Sequence, residues 1–121
     1  MHEISVLHKA VDLAEQTARD NHISRLSYIT LEVGELSGYL PIFFEKYFPI
    51  VIEGREIFDG CELKMITARG EALCLDCNAI YNVMMSEGKC PKCGSRYKKI
   101  LGGQQFLLKE IGFLEENEIT Q

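Results

Sequence analysis

Four of the chain's five cysteines form two Cys-x-x-Cys pairs, Cys74/Cys77 and Cys90/Cys93, with twelve residues between the pairs. Two knuckles of this kind bring four thiolates to one tetrahedral point, and that geometry and donor set suit Zn²⁺. In the second pair, the neighbouring Pro91 and Gly94 allow the tight turn that directs backbone amides towards sulfur. Because protein would fill all four positions, the spacing predicts a structural zinc site on Cys74, Cys77, Cys90 and Cys93.

Disulfides and a thioredoxin-type redox pair are the alternatives for these cysteines. Neither pair opens a helix after a predicted strand, which argues against the redox motif. The amino terminus lacks the apolar core of a signal peptide, and no apolar run approaches membrane-spanning length. These features predict a cytoplasmic protein with no membrane partner, in a compartment where paired cysteines favour metal over disulfide.

The charge of the chain is unevenly distributed. The formal net charge is −5, but residues 71–99 carry +2 and the remainder therefore carries −7. The overall charge argues against a general nucleic-acid binder. The alternative stays open that a basic zinc ribbon contacts nucleic acid or protein through five cations, Lys89, Lys92, Arg96, Lys98 and Lys99.

The amino terminus, Met1-His2-Glu3, offers a second kind of metal site. The Met1 amine, the deprotonated amide of His2 and its imidazole can chelate one ion in fused rings, and the amide or carboxylate of Glu3 can complete the site. Nitrogen donors in a plane suit Ni²⁺ or Cu²⁺ and do not suit Zn²⁺ or Mg²⁺. The other interpretation is that these residues only begin a helix, with Glu3 near its positive end.

Periodicity predicts the elements that position these sites. Apolar positions Ile4, Leu7, Val11, Ala14 and Ala18 predict an amphipathic helix over residues 4–20. A second helix begins at Pro41, and Pro49 is expected to kink or break it. Alternation predicts strands at residues 26–33, 61–68 and 104–113.

These elements predict an α+β fold, with two helices packed on a three-stranded sheet and a zinc ribbon inserted between the second and third strands. The predicted domains are residues 1–70 with 100–121 for the α/β body, and residues 71–99 for the ribbon. Cys61 shares a predicted strand face with Leu63 and Met65, which indicates a buried free thiol.

The ordered set of motifs resembles the HypA/HybF family of hydrogenase-maturation nickel chaperones over nearly the whole chain. The set comprises the Met-His-Glu start, the amphipathic helix, Val-Gly-Glu-Leu-Ser-Gly at residues 33–38 and the late cysteine quartet. The resemblance implies nickel ligands at Met1, His2 and Glu3. It implies nickel as transferred cargo, a maturation GTPase as partner, and the large subunit of nickel–iron hydrogenase as client, while permitting urease as a second client.

Some relatives supply a further carboxylate or imidazole from the loop after the Gly-Glu-Leu-Ser segment, and here residues 38–41 offer neither. Glu35 in that segment is interpreted as a partner contact or a solvated turn residue. His8 is predicted to be partly buried, and His22 to end the first helix.

No group of catalytic residues is evident in the sequence, so the chain is predicted not to be an enzyme. A small redox metalloenzyme is the remaining hypothesis. The sequence leaves a homo-oligomer open.

Overall fold

The computed structural model describes residues 3–114, which form two helices, one short 3₁₀ helix and six strands. In chain order they are α1 (Glu3–Asp20), β1 (Leu26–Gly34), α2 (Pro41–Val51), the 3₁₀ helix (Glu56–Phe58), β2 (Glu62–Ala68), β3 (Glu71–Cys74), β4 (Ile80–Asn82), β5 (Lys98–Gly102) and β6 (Phe106–Phe113). One sheet has the order β2-β1-β6 and the other β4-β3-β5. The predicted fold class, two helices with a three-stranded sheet and an inserted ribbon, is confirmed.

Helix α1 buries one face, and that face differs from the predicted one at its start. The buried positions are Glu3, Leu7, Ala10, Val11, Ala14 and Ala18. Ile4 was expected on this stripe, but it is 45% exposed, whereas the Glu3 residue is only 6% exposed. At about 100° per residue, Glu3 lies closer than Ile4 to the middle of the face that contains Leu7 and Ala14. A carboxylate is therefore buried at the first residue of the helix.

Helix α2 continues through Pro49, so the helix does not break there, and the alternative, a kink at Pro49, stays a prediction. The helix runs from Pro41, which occupies its first turn as predicted, to Val51. Proline in a helix interior costs about 3 kcal/mol. Continuing the helix past Pro49 buries Val51 on the same face as Phe44 and Phe48, and such a side chain contributes roughly 1.5–3 kcal/mol. This burial offsets much of the cost of the proline.

Strand β1 lies between β2 and β6, and its position explains a departure from simple alternation. Ile29, Leu31 and Val33 are buried as predicted, but Thr30 is only 2% exposed. The Thr30 hydroxyl donates to Oε1 of Glu110 at 3.3 Å. A central strand has neighbours along both edges, so a polar residue on its second face can be covered as well.

The chain divides into two compact units. The first comprises the described residues up to Leu31, Leu40–Ile66, and the described residues from Leu107 onward; the second comprises Glu32–Tyr39 and Thr67–Phe106. The segment after β1 thus belongs to the same unit as the ribbon. The sequence-based boundaries at residues 70 and 100 concern which segments fold on their own, and they stay a prediction.

Three glycines allow the backbone segments of the second unit to cross closely. A Cβ atom added at Gly34 would lie 2.0 Å from the carbonyl oxygen of Gly103, and one added at Gly103 would lie 2.4 Å from the Cα atom of Gly70. Gly103 also has φ +101°, which is unfavourable for residues with a side chain. The crossing is closed by hydrogen bonds from the Glu35 amide to the Ala68 carbonyl at 2.9 Å and from the Leu36 amide to the Gly103 carbonyl at 2.6 Å.

We predict that Gly34→Ala destabilises the protein by roughly 2–3 kcal/mol, because the new methyl group meets backbone atoms that cannot rotate away. Gly102→Ala is the matched control: it lies in β5, and a Cβ atom there meets nothing within 4 Å. Its effect should stay within about 0.5 kcal/mol. Denaturant unfolding at a fixed excess of zinc measures both variants, and equal stabilities of the two would contradict the close crossing.

Candidate metal centres

The cysteines occupy two knuckles with matching backbone geometry. The first knuckle follows β3, where the Cys74 amide donates to the Ala79 carbonyl at 2.8 Å. In the second knuckle the Cys90 amide donates to the Ser95 carbonyl, also at 2.8 Å. Asn78 and Gly94, each directly after the second cysteine of its pair, have φ 63° and φ 79°. These left-handed residues turn the chain so that backbone N–H groups point at sulfur.

Backbone amides donate to every one of the four sulfurs. Cys74 accepts from the amides of Asp76 and Cys77, and Cys90 accepts from those of Lys92 and Cys93. Cys77 accepts from the Ala79 amide, and Cys93 accepts from the Ser95 amide. Such donors stabilise thiolate over thiol, so the backbone prepares the sulfurs as anionic ligands.

The four sulfurs converge on one point. All four Sγ atoms lie within 4.8 Å of one another, and no other described residues place three or more His, Cys, Asp or Glu ligand atoms so close together. The Cys74–Cys93 sulfur pair is 3.5 Å apart and the Cys77–Cys90 pair 3.6 Å apart. A disulfide requires about 2.05 Å, and all four cysteines are free. The disulfide alternative is therefore excluded by this geometry.

The distances fit zinc. Tetrahedral Zn²⁺ with Zn–S bonds of about 2.3 Å places its sulfurs about 3.8 Å apart, close to the observed spacing of both pairs. Four thiol donors with no other group among them leave no open coordination position. The cluster therefore fits a structural zinc ion held by Cys74, Cys77, Cys90 and Cys93, as predicted.

The thiols of each cross-knuckle pair differ in acidity. Burial raises the pKa of Cys90, but the amides of Cys93 and Lys92 outweigh it and lower the pKa to about 7. Burial likewise opposes ionisation of Cys74, and the amides of Cys77 and Asp76 hold its pKa below the ordinary value. The Ser95 amide favours ionised Cys93, yet the Cys74 thiol and burial raise that pKa to about 12. A dication that binds here must therefore displace protons.

The ribbon has little core apart from the ligands. Its buried cluster consists of Ala72, Cys74, Tyr81 and Cys90. The Tyr81 hydroxyl is buried without a hydrogen-bond partner among the described residues, and burial followed by the neighbouring thiols raises its pKa. Since two of the four buried residues are ligands, metal binding must supply much of the free energy that keeps this segment folded.

Of the three predicted nickel ligands at the amino terminus, the structure describes only one. Met1 and His2 lie outside the described residues, and Glu3 is the first residue of α1. The Oε2 atom of Glu3 accepts the Leu40 amide at 3.2 Å. Leu40 is the N-cap residue of α2, whose first turn has neither a side-chain cap nor an acidic residue. The carboxylate of Glu3 thus caps α2 from the neighbouring helix and places a negative charge at its positive end.

An open cavity of about 640 Å³ adjoins Glu3. It lies between the first turns of α1 and the exposed side of α2, where its aromatic lining residues are Phe43 and Tyr47. His8 also lines this cavity and is exposed, so the expectation of a partly buried histidine is wrong. The reason is its helical position, which points away from the buried face defined by Leu7 and Val11.

The other histidine and the fifth cysteine have structural explanations. His22 ends α1 as predicted, with φ 59°, and the Ile23 amide donates back to the Ala18 carbonyl at 2.8 Å. This is a Schellman cap with histidine at the left-handed position. Cys61 is a free thiol as predicted, but it precedes β2 and is half-buried, so its expected full burial is wrong. Burial, followed by Glu62, raises its pKa to about 11, which makes it a poor nucleophile.

Glu35 is a structural residue of the second unit, and its interpretation as a solvated turn residue is wrong. Its Oε1 atom accepts the Gly70 amide at 2.7 Å and the Asn82 side-chain amide at 3.0 Å. The Gly70 amide, then the Asn82 amide, holds the pKa of this carboxyl below its ordinary value. Glu35 therefore joins the loop after β1 to the residues at the start of β3 and the end of β4.

Two helices with a three-stranded sheet and an inserted four-cysteine ribbon define the class: a small metal-binding protein of the zinc-ribbon type. A family model described as "Hydrogenase/urease nickel incorporation, metallochaperone, hypA" matches residues 1–113. The chain belongs to this HypA family, and it is a nickel metallochaperone of hydrogenase maturation, as the resemblance of its motifs implied.

Individual relatives agree. The chain is 34% identical to hydrogenase maturation factor HypA of Dechloromonas aromatica and 31% identical to that of Albidiferax ferrireducens, in each case over 92% of this chain and 97% of the relative. The solution structure of the Ni metallochaperone HypA from Helicobacter pylori superposes with a TM-score of 0.66, at 26% identity, covering 96% of this chain and all of that one.

Membership of this family tests two further predictions, one about catalysis and one about partners. The family consists of maturation factors without catalysis of their own, so the prediction that the chain is not an enzyme is confirmed. Its partners belong to the hydrogenase maturation machinery. Among the described residues, no helix is both long enough and apolar enough to cross a membrane.

We predict that Cys90→Ser reduces bound zinc from one ion per chain to none, because three thiolates cannot close the tetrahedral site. Residues 71–99 should then unravel while α1 and α2 stay folded, since structural zinc contributes roughly 10–16 kcal/mol and the helices have their own apolar core. Cys61→Ser, which removes the cysteine outside the cluster, should keep its zinc. Elemental analysis and circular dichroism measure both variants; full zinc occupancy in Cys90→Ser would refute the assignment.

Proposed function

We propose that this chain binds Ni²⁺ at its amino terminus, through the Met1 amine, the His2 imidazole and the backbone amides of His2 and Glu3, and delivers it in the cytoplasm. The client is the large subunit of a nickel–iron hydrogenase, and a maturation GTPase assists the transfer. The single observation that carries this function is the match of the nickel-incorporation family over residues 1–113. The chemistry of the Met1-His2-Glu3 donors supports the site.

The environment of Glu3 supports its backbone amide as the ligand in preference to its carboxylate. The carboxylate is buried and already accepts the Leu40 amide. The Glu3 amide, by contrast, belongs to the first turn of α1, where backbone N–H groups have no acceptor within the helix. Its deprotonation therefore breaks no helical hydrogen bond, and the positive end of the helix favours the resulting anion.

Amide coordination makes delivery proton-coupled. Each deprotonated amide that binds nickel releases a proton on loading and must recover one on unloading. A partner surface that supplies a proton at the amino terminus therefore favours release of the ion. This supplies a physical route for transfer without any catalytic group on the chain itself.

The positive charge of the ribbon has an explanation that does not involve nucleic acid. Residues 71–99 carry a formal +2 with neutral cysteines. Four thiolates around one Zn²⁺ add a net −2, because metal ligands must be deprotonated. The loaded ribbon is therefore close to neutral, and we propose that its lysines and arginine balance the zinc tetrathiolate.

We predict that His2→Ala abolishes tight Ni²⁺ binding without changing zinc or helix content, because the amine and amides alone cannot hold a planar site near neutral pH. His8→Ala is the matched control, since it removes a different histidine, one that is exposed in α1. Calorimetric titration of chains with an untagged amino terminus measures both variants. Wild-type nickel affinity in His2→Ala would end the proposed mechanism.

We predict that Glu3→Gln leaves nickel affinity and the spectrum of bound nickel unchanged. Glutamine keeps an oxygen that accepts the Leu40 amide, and the backbone amide is unaffected. Glu3→Ala should lower stability by about 1 kcal/mol, the usual cost of a lost helix cap, while keeping the nickel spectrum. A changed spectrum in Glu3→Gln would identify the carboxylate as the ligand, and a paramagnetic wild-type complex would exclude the planar amide site.

A further inference from the structure

The two cysteine knuckles correspond residue for residue, and the correspondence shows where they differ. Residues 74–79 and 90–95 share the amide-to-carbonyl bond from the first to the sixth residue, 2.8 Å in both. They also share the bond from the fifth amide to the first carbonyl, 2.9 Å from Asn78 and 2.8 Å from Gly94. Ser95 therefore stands where the first knuckle has Ala79, and Asp76 stands where the second knuckle has Lys92.

Asp76 and Ser95, which differ from their counterparts in the other knuckle, meet across the cluster. The Ser95 hydroxyl donates a hydrogen bond to Oδ2 of Asp76. The same hydroxyl oxygen accepts the Tyr97 amide at 3.1 Å. The Ser95 carbonyl accepts the Cys90 amide, so this one residue contacts its own knuckle, the residue before β5 and the opposite knuckle. The reciprocal link cannot form, because Ala79 has no hydroxyl and Lys92 has no acceptor.

We infer that the Asp76–Ser95 hydrogen bond is a metal-independent link between the knuckles, and that these two side chains are positioning residues for zinc. Asp76 lies between the ligands Cys74 and Cys77, and Ser95 follows the ligand Cys93 by two residues. A bond between them fixes the opposing sulfur pairs, Cys74 with Cys93 and Cys77 with Cys90, at the observed 3.5 Å and 3.6 Å.

The energetic argument is the coupling of folding to zinc binding. Twelve residues separate the pairs, so the second knuckle must be ordered against the first when the ion binds. A hydrogen bond that forms only in the folded ribbon offsets part of that cost and so contributes to the binding free energy of zinc. Side chains that orient ligands without touching the metal typically change metal affinity 10–100-fold when they are removed.

The test is a double-mutant cycle on the full chain. Ser95→Ala introduces the residue that the first knuckle already carries at the corresponding position, so the knuckle backbone tolerates it. Asp76→Ala removes the acceptor independently. Lys92→Ala is the matched control for Asp76→Ala, and Ser95→Thr keeps the hydroxyl. Zinc dissociation constants come from competition with a chromophoric chelator, and Co²⁺ substitution reports the ligand set through its thiolate absorption bands.

We expect Ser95→Ala and Asp76→Ala each to weaken zinc binding about 10-fold, with the double variant no weaker than either single one. All should still bind one Co²⁺ with four-thiolate spectra, and Lys92→Ala and Ser95→Thr should match wild type. The inference is overturned if the single variants keep wild-type affinity, if their effects add fully, or if Lys92→Ala is as weak as Asp76→Ala. A Co²⁺ spectrum lacking a thiolate in either single variant would also overturn it.

Discussion

Convergence of four sulfurs is the constraint on which the ribbon depends. The three strands β3, β4 and β5 are only four, three and five residues long, and the buried cluster beneath them includes two of the ligands. A sheet of this size cannot offset its conformational entropy by apolar burial alone. Metal coordination must therefore do so, and the backbone amides that donate to sulfur make the thiolates available at moderate cost in free energy.

Two carboxylates of this protein accept hydrogen bonds from backbone amides that are distant in sequence. Glu35 accepts the Gly70 amide, and Glu3 accepts the Leu40 amide. Each carboxylate thus holds a backbone amide within its own unit, Glu35 in the second and Glu3 in the first. Hydrogen bonds to charged acceptors are stronger than neutral ones.

Much of the fold and of the zinc site was predictable because it depends on local patterns. The 3.6-residue period of α1, the proline at the start of α2 and the alternation in β1 act within a few residues. The Cys-x-x-Cys knuckle is local as well, since its turn and its amide donors lie within six residues. Ile4 was predicted to be buried and is exposed, and α2 continues through Pro49. At both positions the packing partners, which a local pattern does not encode, decided which side chains are buried.

The amino-acid sequence by itself determined the two helices, the three strands of the first sheet, the convergence of the four cysteines and, through the ordered motifs, the family. Only the tertiary structure decided what Glu3, Glu35, Asp76 and Ser95 do. Their partners are distant in sequence: 37 residues from Glu3 to Leu40, 35 from Glu35 to Gly70 and 19 from Asp76 to Ser95. The pairing of a polar side chain with a remote donor depends on which segments the topology brings within about 3 Å, and no local periodicity encodes that distance.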